Sequence, residues 1–270
     1  MPISTRRRHL LLAVIIAFGA GLGAPVAASP VFDSFGALPE ATFGGSGIPN
    51  DAVAISTFTL NTASEETVTV KLGLTATERF SNPPLGNDGA GTFFAGTGAN
   101  LGGPGNPSST LGATWNVGYF IGLAGGTFGD IADLVTIELR YDTSPDGLDF
   151  GVWDLSASIA ALGLSTATVF QDSQNLLFSF LNDGVPGFIT PPATAFDADA
   201  AGVYSFELLA TDGIGNRVGL SAIDVRAVPA PATGLSFLLG LLSLALFRKA
   251  RRRIHGGSDT GARQAVLRRA

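Results

Sequence analysis

Apolar and polar residues alternate with period two through much of the middle of the chain. Val68, Val70, Leu72 and Leu74 share one face of such a stretch, and Thr67, Thr69, Lys71 and Gly73 share the other. Val135, Ile137, Leu139 and Tyr141 alternate with Thr136, Glu138 and Arg140, and Tyr204, Phe206, Leu208 and Ala210 form a third set. Successive side chains of a β-strand point to opposite faces, so each stretch predicts a strand with one buried face. The runs 52–60 and 113–124 are rich in β-branched and aromatic residues and predict two more. From Arg217 to Val225 the alternation changes phase near Ala222, where a bulge is expected. Gly, Asn and Asp punctuate these segments. The pattern predicts an all-β fold, an antiparallel β-sandwich of immunoglobulin-like kind.

Three local stretches refine that expectation. Between Asp197 and Gly213, an acidic residue, a small residue and then Tyr-x-Phe resemble the tyrosine corner of immunoglobulin-like sandwiches, with Tyr204 as the corner residue. An ordinary strand with a buried tyrosine carries the same pattern. The glycine-rich segment 82–107 reads as a long loop or a pair of loose hairpins anchored by Phe93 and Phe94. The region 157–178 is less regular, with room for a short helix.

The two ends of the chain follow a different pattern. Arg6, Arg7 and Arg8 precede an apolar run from Leu10 to Leu22, and small residues lead to Val26-Ala27-Ala28 before Ser29. That order predicts a signal peptide over 1–28, cut by signal peptidase between Ala28 and Ser29. At the other end, the 18 residues from Ala230 to Phe247 carry no charge. As a helix they would be about 27 Å long, enough to cross a hydrocarbon core. Arg248, Lys249, Arg251, Arg252 and Arg253 follow at once and act as a stop-transfer cluster. Positive charge stays cytoplasmic, which leaves the preceding domain outside. The expected organisation is a signal peptide (1–28), an extracytoplasmic domain (29–227), a C-terminal module (228–253) and a cytoplasmic tail (254–270).

Charge becomes informative once these ends are set aside. Of the 16 basic residues, three lie in the leader and eight from Arg248 onward, while 21 of the 22 acids lie between; the domain therefore carries a net charge of −16. Such a domain repels phosphate backbones, so nucleic acid is excluded as a partner. The two histidines are His9 and His255, and there is no cysteine. The exported domain thus lacks the residues of Ser-His-Asp and Cys-His triads and of imidazole or thiolate metal sites. Carboxylates remain. Paired acids would allow glycoside hydrolysis, and a carbohydrate-binding or carbohydrate-acting surface protein is the alternative function. Asp142, Asp146, Asp149 and Asp154 lie in one Gly- and Pro-containing stretch, which reads first as a solvated acidic turn and second as a calcium site. Trp115 and Trp153 lie in strand-like contexts and are expected in the core. No other cofactor is expected, and no enzymatic activity.

The last segment resembles a known sorting signal. Val228-Pro229-Ala230-Pro231-Ala232, an apolar helix and an arginine cluster look like the PEP-CTERM class, closest to its Val-Pro-Leu-Pro-Ala variant. Ala230 stands where the commoner form has Glu, and 17 residues follow the basic cluster. The resemblance implies a Gram-negative bacterium that makes exopolysaccharide and biofilm. It implies export across the inner membrane, retention there by the C-terminal helix, and cutting near the proline motif by an exosortase, a membrane protease. The mature protein would then be structural or adhesive at the cell surface or in the extracellular matrix, with exopolysaccharide as a possible associate.

Overall fold

The computed structural model describes residues 29–80, 83–103, 106–145 and 149–229. Among them the chain is all-β, with three short helices. The strands are β1 (Ser34–Gly36), β2 (Val53–Asn61), β3 (Thr67–Glu78), β4 (Gly86–Asn87), β5 (Thr92–Gly96), β6 (Ala99–Gly103), β7 (Asn106–Ala113) and β8 (Trp115–Ala124), followed by β9 (Val135–Asp142), β10 (Phe150–Asp154), β11 (Val169–Gln174), β12 (Ile189–Thr190), β13 (Gly202–Asp212) and β14 (Arg217–Val228). The helices are α1 (Phe128–Ile131), α2 (Leu155–Ala161) and α3 (Ser179–Asp183). One sheet has the order β1-β2-β3-β8-β11, a second β12-β10-β9-β13-β14-β5-β4, and β6 and β7 form a separate hairpin.

The two large sheets share one hydrophobic core. Val68, Val70, Leu72 and Leu74 of β3 face Tyr204, Phe206, Leu208 and Ala210 of β13 and Ile137, Leu139 and Tyr141 of β9 in that core, as the alternation predicts. Trp115 lies at its centre, 5.9 Å from the Tyr204 ring and 5.8 Å from Phe196. The Tyr204 hydroxyl donates to the Ala200 carbonyl four residues upstream at 3.0 Å. This is the hydrogen bond of a tyrosine corner, and it distinguishes the residue from an ordinary buried strand tyrosine. A smaller cluster of Leu38, Ala41, Phe43, Val53 and Phe120 covers the outer face of the first sheet. There Gly73 has Leu38 and Val53 packed against it, and Thr75 is buried.

Several local expectations are corrected. The register shift of β14 falls at Val218, because Ala210 pairs with Gly219 while Thr211 pairs with Arg217. The phase change at Ala222 arises instead because β14 is buried on both faces from Ser221 to Val225. Not all pairing is antiparallel: β5 runs parallel to β14, with Val225 beside Phe93. The segment 82–107 does form hairpins, β4–β5 and the first half of β6–β7. Of its two phenylalanines only Phe93 is an anchor; Phe94 points to the outer face and is 42% exposed. The irregular region holds α2, as expected, and also a full edge strand, β11.

Asp224 lies on the outer face of β14, almost fully buried, where Ser205 Oγ donates to its Oδ1 at 2.7 Å. Burial raises its carboxyl pKa, against the pull of that hydrogen bond and of Arg226. Between the ordinary carboxylate pKa and the raised one, the folded chain binds more protons than the unfolded chain. This group therefore lowers stability as pH rises through that window. Asp224→Asn should raise Tm at pH 7, and the gain should shrink as pH falls into the window. Thermal melts of both proteins across pH would check this; a gain that grows on acidification would contradict it.

Candidate functional site

At one open edge of the two sheets, β11 of the first approaches β10 and β12 of the second. An open cavity of about 600 Å³ lies between them, flanked by α2 and by the α3 segment. That volume is within the usual range for small-molecule sites. Its walls are aromatic. Tyr119 of β8 is 5.9 Å from Trp153 of β10 and 5.8 Å from Phe170 of β11. Trp153 is in turn 5.9 Å from Phe180, which is 5.7 Å from Phe178.

Each wall is held by local structure. Asp154 caps α2 by accepting from Ala157 N at 2.8 Å. Ser158 Oγ of α2 accepts from Trp153 Nε1 at 2.8 Å and donates to the Asp154 carbonyl, which fixes the indole. Tyr141, buried in the core, donates its hydroxyl to Leu181 O at 2.7 Å and so pins α3, the carrier of Phe180. Gly151 lies under the Tyr141 ring, and a Cβ there would meet the ring and hydroxyl atoms within 2.4–2.6 Å. Gln171, on the opposite face of β11, accepts from the backbone N–H groups of Thr42 and Phe43, both at 2.8 Å.

The polar groups of the cavity come from β11. Pairing sets Asp172 beside Tyr119 and Gln174 beside Val117, on the same face as Phe170. Asp172 stands exposed at the mouth and accepts from Ser173 N at 2.8 Å and from Gln174 Nε2 at 2.9 Å. Desolvation beside the aromatic wall nevertheless raises its pKa, outweighing the lowering by these two bonds. Burial, with the Asp172 charge next to it, pushes the Tyr119 phenol upward as well. Gln174 is only 6% exposed, and its Oε1 has no hydrogen-bond partner. Ser173 Oγ is likewise buried without a partner. Among the described residues that line the cavity, Asp172 is the one carboxylate, and none is basic.

Of the four aspartates read from the sequence, the three described ones do not line this cavity. Asp142 ends β9, is fully buried, and accepts from Ser144 N at 2.9 Å. Asp149 accepts from Ala193 N at 2.8 Å and Thr194 N at 2.6 Å, and the Ala193 bond leads in holding its pKa below the ordinary value. Asp154 is the helix cap described above, and Asp146 lies outside the described residues. Among those residues no three acidic or imidazole groups come together as a metal set. Of the expected sorting motif, Val228 and Pro229 are described; Ala230, Pro231, Ala232 and the cluster Arg248, Lys249, Arg251, Arg252 and Arg253 lie outside. Val228 is the last residue of β14, paired with Gly96, and its carbonyl accepts from Thr97 N at 3.0 Å. The ladder thus runs one residue past the expected domain boundary and stops at a residue with no N–H to give. Ala28 also lies outside, and Ser29 is the first described residue.

Neither Asp172 nor Gln174 stood out in the sequence. The available signal was their phase: in the run 169–174 they occupy the alternate positions shared with Phe170, so polar groups point where an inward face is expected. Trp153, expected in the core, is half-buried and forms a cavity wall.

No protein-family model, curated protein or solved structure matches this chain.

Proposed function

We propose that the chain is an exported, non-catalytic protein of the cell surface or extracellular matrix, sorted through its C-terminal module by an exosortase-type protease. The observation that carries this is the order of its parts: a leader ending at Ala28, a β-rich acidic domain, then Val228 to Ala232, an uncharged stretch and five basic residues. In this reading the two sheets form the sandwich of an extracytoplasmic domain, and the stretch 230–247 spans the inner membrane until processing.

Two features of the fold support it. The segment just after the leader is tied into the domain, since Val31 and Ala222 exchange backbone hydrogen bonds at 2.7 and 3.1 Å. That bridge is antiparallel, so the chain preceding Val31 heads toward the end of β14 where Val228 leaves. From Ala222 to Val228 a strand covers about 20 Å. Leader and C-terminal helix would then enter the membrane from one end of the domain, as a chain held at both ends before leader removal requires. The second feature is the cavity. Glycoside hydrolysis needs two carboxylates about the reacting bond, and among the described lining residues only Asp172 is acidic, so this cavity suits binding better than that reaction.

The first step has a direct test. N-terminal sequencing of the protein recovered from the exported fraction should give Ser29. A mature chain that retains Met1 or Arg6 would contradict leader removal at Ala28.

A further inference from the structure

We propose that the aromatic cavity between β11 and β10–β12 binds a small organic ammonium ion, with its N–H groups directed to the Asp172 carboxylate at the mouth and its apolar body among the phenylalanines. This goes beyond the sorting role and is independent of it.

Three observations point to a cation that carries hydrogen-bond donors. First, Gln174 Nε2 donates to Asp172 Oδ2 at 2.9 Å and holds that carboxylate, an acceptor, at the mouth. Second, none of the five basic residues of the exported domain, Lys71, Arg79, Arg140, Arg217 and Arg226, is among the residues lining the cavity. The Asp172 charge is therefore not matched there, and it lies in a domain whose net charge of −16 attracts cations and repels anions. Third, Trp153, Tyr119 and Phe170 line the same cavity as Asp172. Aromatic faces attract ammonium groups by about 0.5–2 kcal/mol, more as water is excluded.

A sugar fits less well. Ser158 Oγ and Gln171 Oε1 are already used within the protein. A polyhydroxylated ring would find polar groups along β11 alone, and each hydroxyl turned toward phenylalanine would go unpaired. One or two donors on a single end of an apolar molecule match the wall as it stands.

The test uses the full chain in phosphatidylcholine nanodiscs, titrated by calorimetry against empty discs, with Trp153 fluorescence as a second signal. The probes are phenethylammonium, its neutral counterpart 2-phenylethanol, the anion 3-phenylpropionate and methyl glucoside. Phenethylammonium should bind saturably at one site, and the alcohol about ten-fold more weakly. The propionate and the glucoside should not bind. Asp172→Asn should reduce amine affinity about ten-fold, with Tm reporting that the fold is kept. Gln174→Met should also weaken the amine, with Tm reporting that the fold is kept. Equal affinity for amine and alcohol, an amine affinity untouched by Asp172→Asn, preference for the glucoside, or no amine binding would each overturn the proposal.

Discussion

Asn175→Ala should be among the most damaging single changes in the domain, costing about 3–5 kcal/mol of stability. The side chain is 0% exposed and sits immediately after β11. Its Oδ1 accepts from Ala113 N at 2.9 Å and Leu177 N at 3.1 Å. Its Nδ2 donates toward Ala113 O at 3.1 Å, Trp115 O at 3.0 Å and Asn116 Oδ1 at 2.7 Å. One amide thus satisfies the backbone where β7 passes into β8 and where β11 turns toward α3. Alanine would leave these donors and acceptors buried and unpaired, with a void beside Trp115. Asn175→Asp should be no better, because a carboxylate would face two carbonyls. For a domain of this size Tm should fall on the order of 10 °C. Asn216→Ala, which removes an exposed bond to Asp212 in the β13–β14 turn, should change stability by less than about 0.5 kcal/mol. Denaturant melts of the three variants would check the contrast; an Asn175→Ala protein as stable as wild type would show that the hub is dispensable.

The second large effect concerns processing. Changing Pro229 and Pro231 to Ala should leave membrane insertion intact and abolish cleavage, so that uncut protein accumulates in the membrane. Proline cannot donate a ladder hydrogen bond and holds the residue before it extended. In the native chain the β5–β14 ladder runs to Val228, and Pro229, which follows it, lies outside the strand. With alanines, the backbone regains two N–H groups and the freedom to extend the strand or begin a helix early. Neutralising Arg251 to Arg253 should act differently, by weakening the charge asymmetry that fixes orientation. Protease protection of spheroplasts would report that loss, while the proline variant should keep wild-type topology.

The strands that were readable from sequence share a physical reason. β3, β9 and β13 each set a row of large apolar side chains into the common core, with mostly small or polar residues between them, so the period of two shows in the sequence. Where that contrast is missing, the pattern fails. β14 is covered on both sides and loses its alternation, which displaced the expected bulge from Val218 to Ala222. β11 is an edge strand, half exposed, with polar residues on its inward face because that face lines a cavity and not the core. The parallel contact of β5 with β14 joins residues far apart in the chain, and no local pattern encodes such a pairing. Arg79 illustrates the same limit. It reads as an ordinary charge after a strand, yet it is buried and donates to Asn100 O at 2.7 Å and Thr110 O at 2.9 Å, tying the β6–β7 hairpin to the domain. The candidate site was illegible for this reason: its residues come from β8, β10, β11 and α3, and only the fold brings them together.

The central proposal is that the segment from Val228 to Arg253 is a processed sorting signal, and the C-terminus of the mature protein tests it most directly. Wild-type membrane and medium fractions, immunoblotted with antibody to the acidic domain and then analysed by intact mass, should contain a shortened form whose last residue lies within or just after Val228–Ala232. Full-length protein ending at Ala270 in the membrane, with nothing shorter in either fraction, would contradict it and leave the proline motif a simple linker before a permanent anchor.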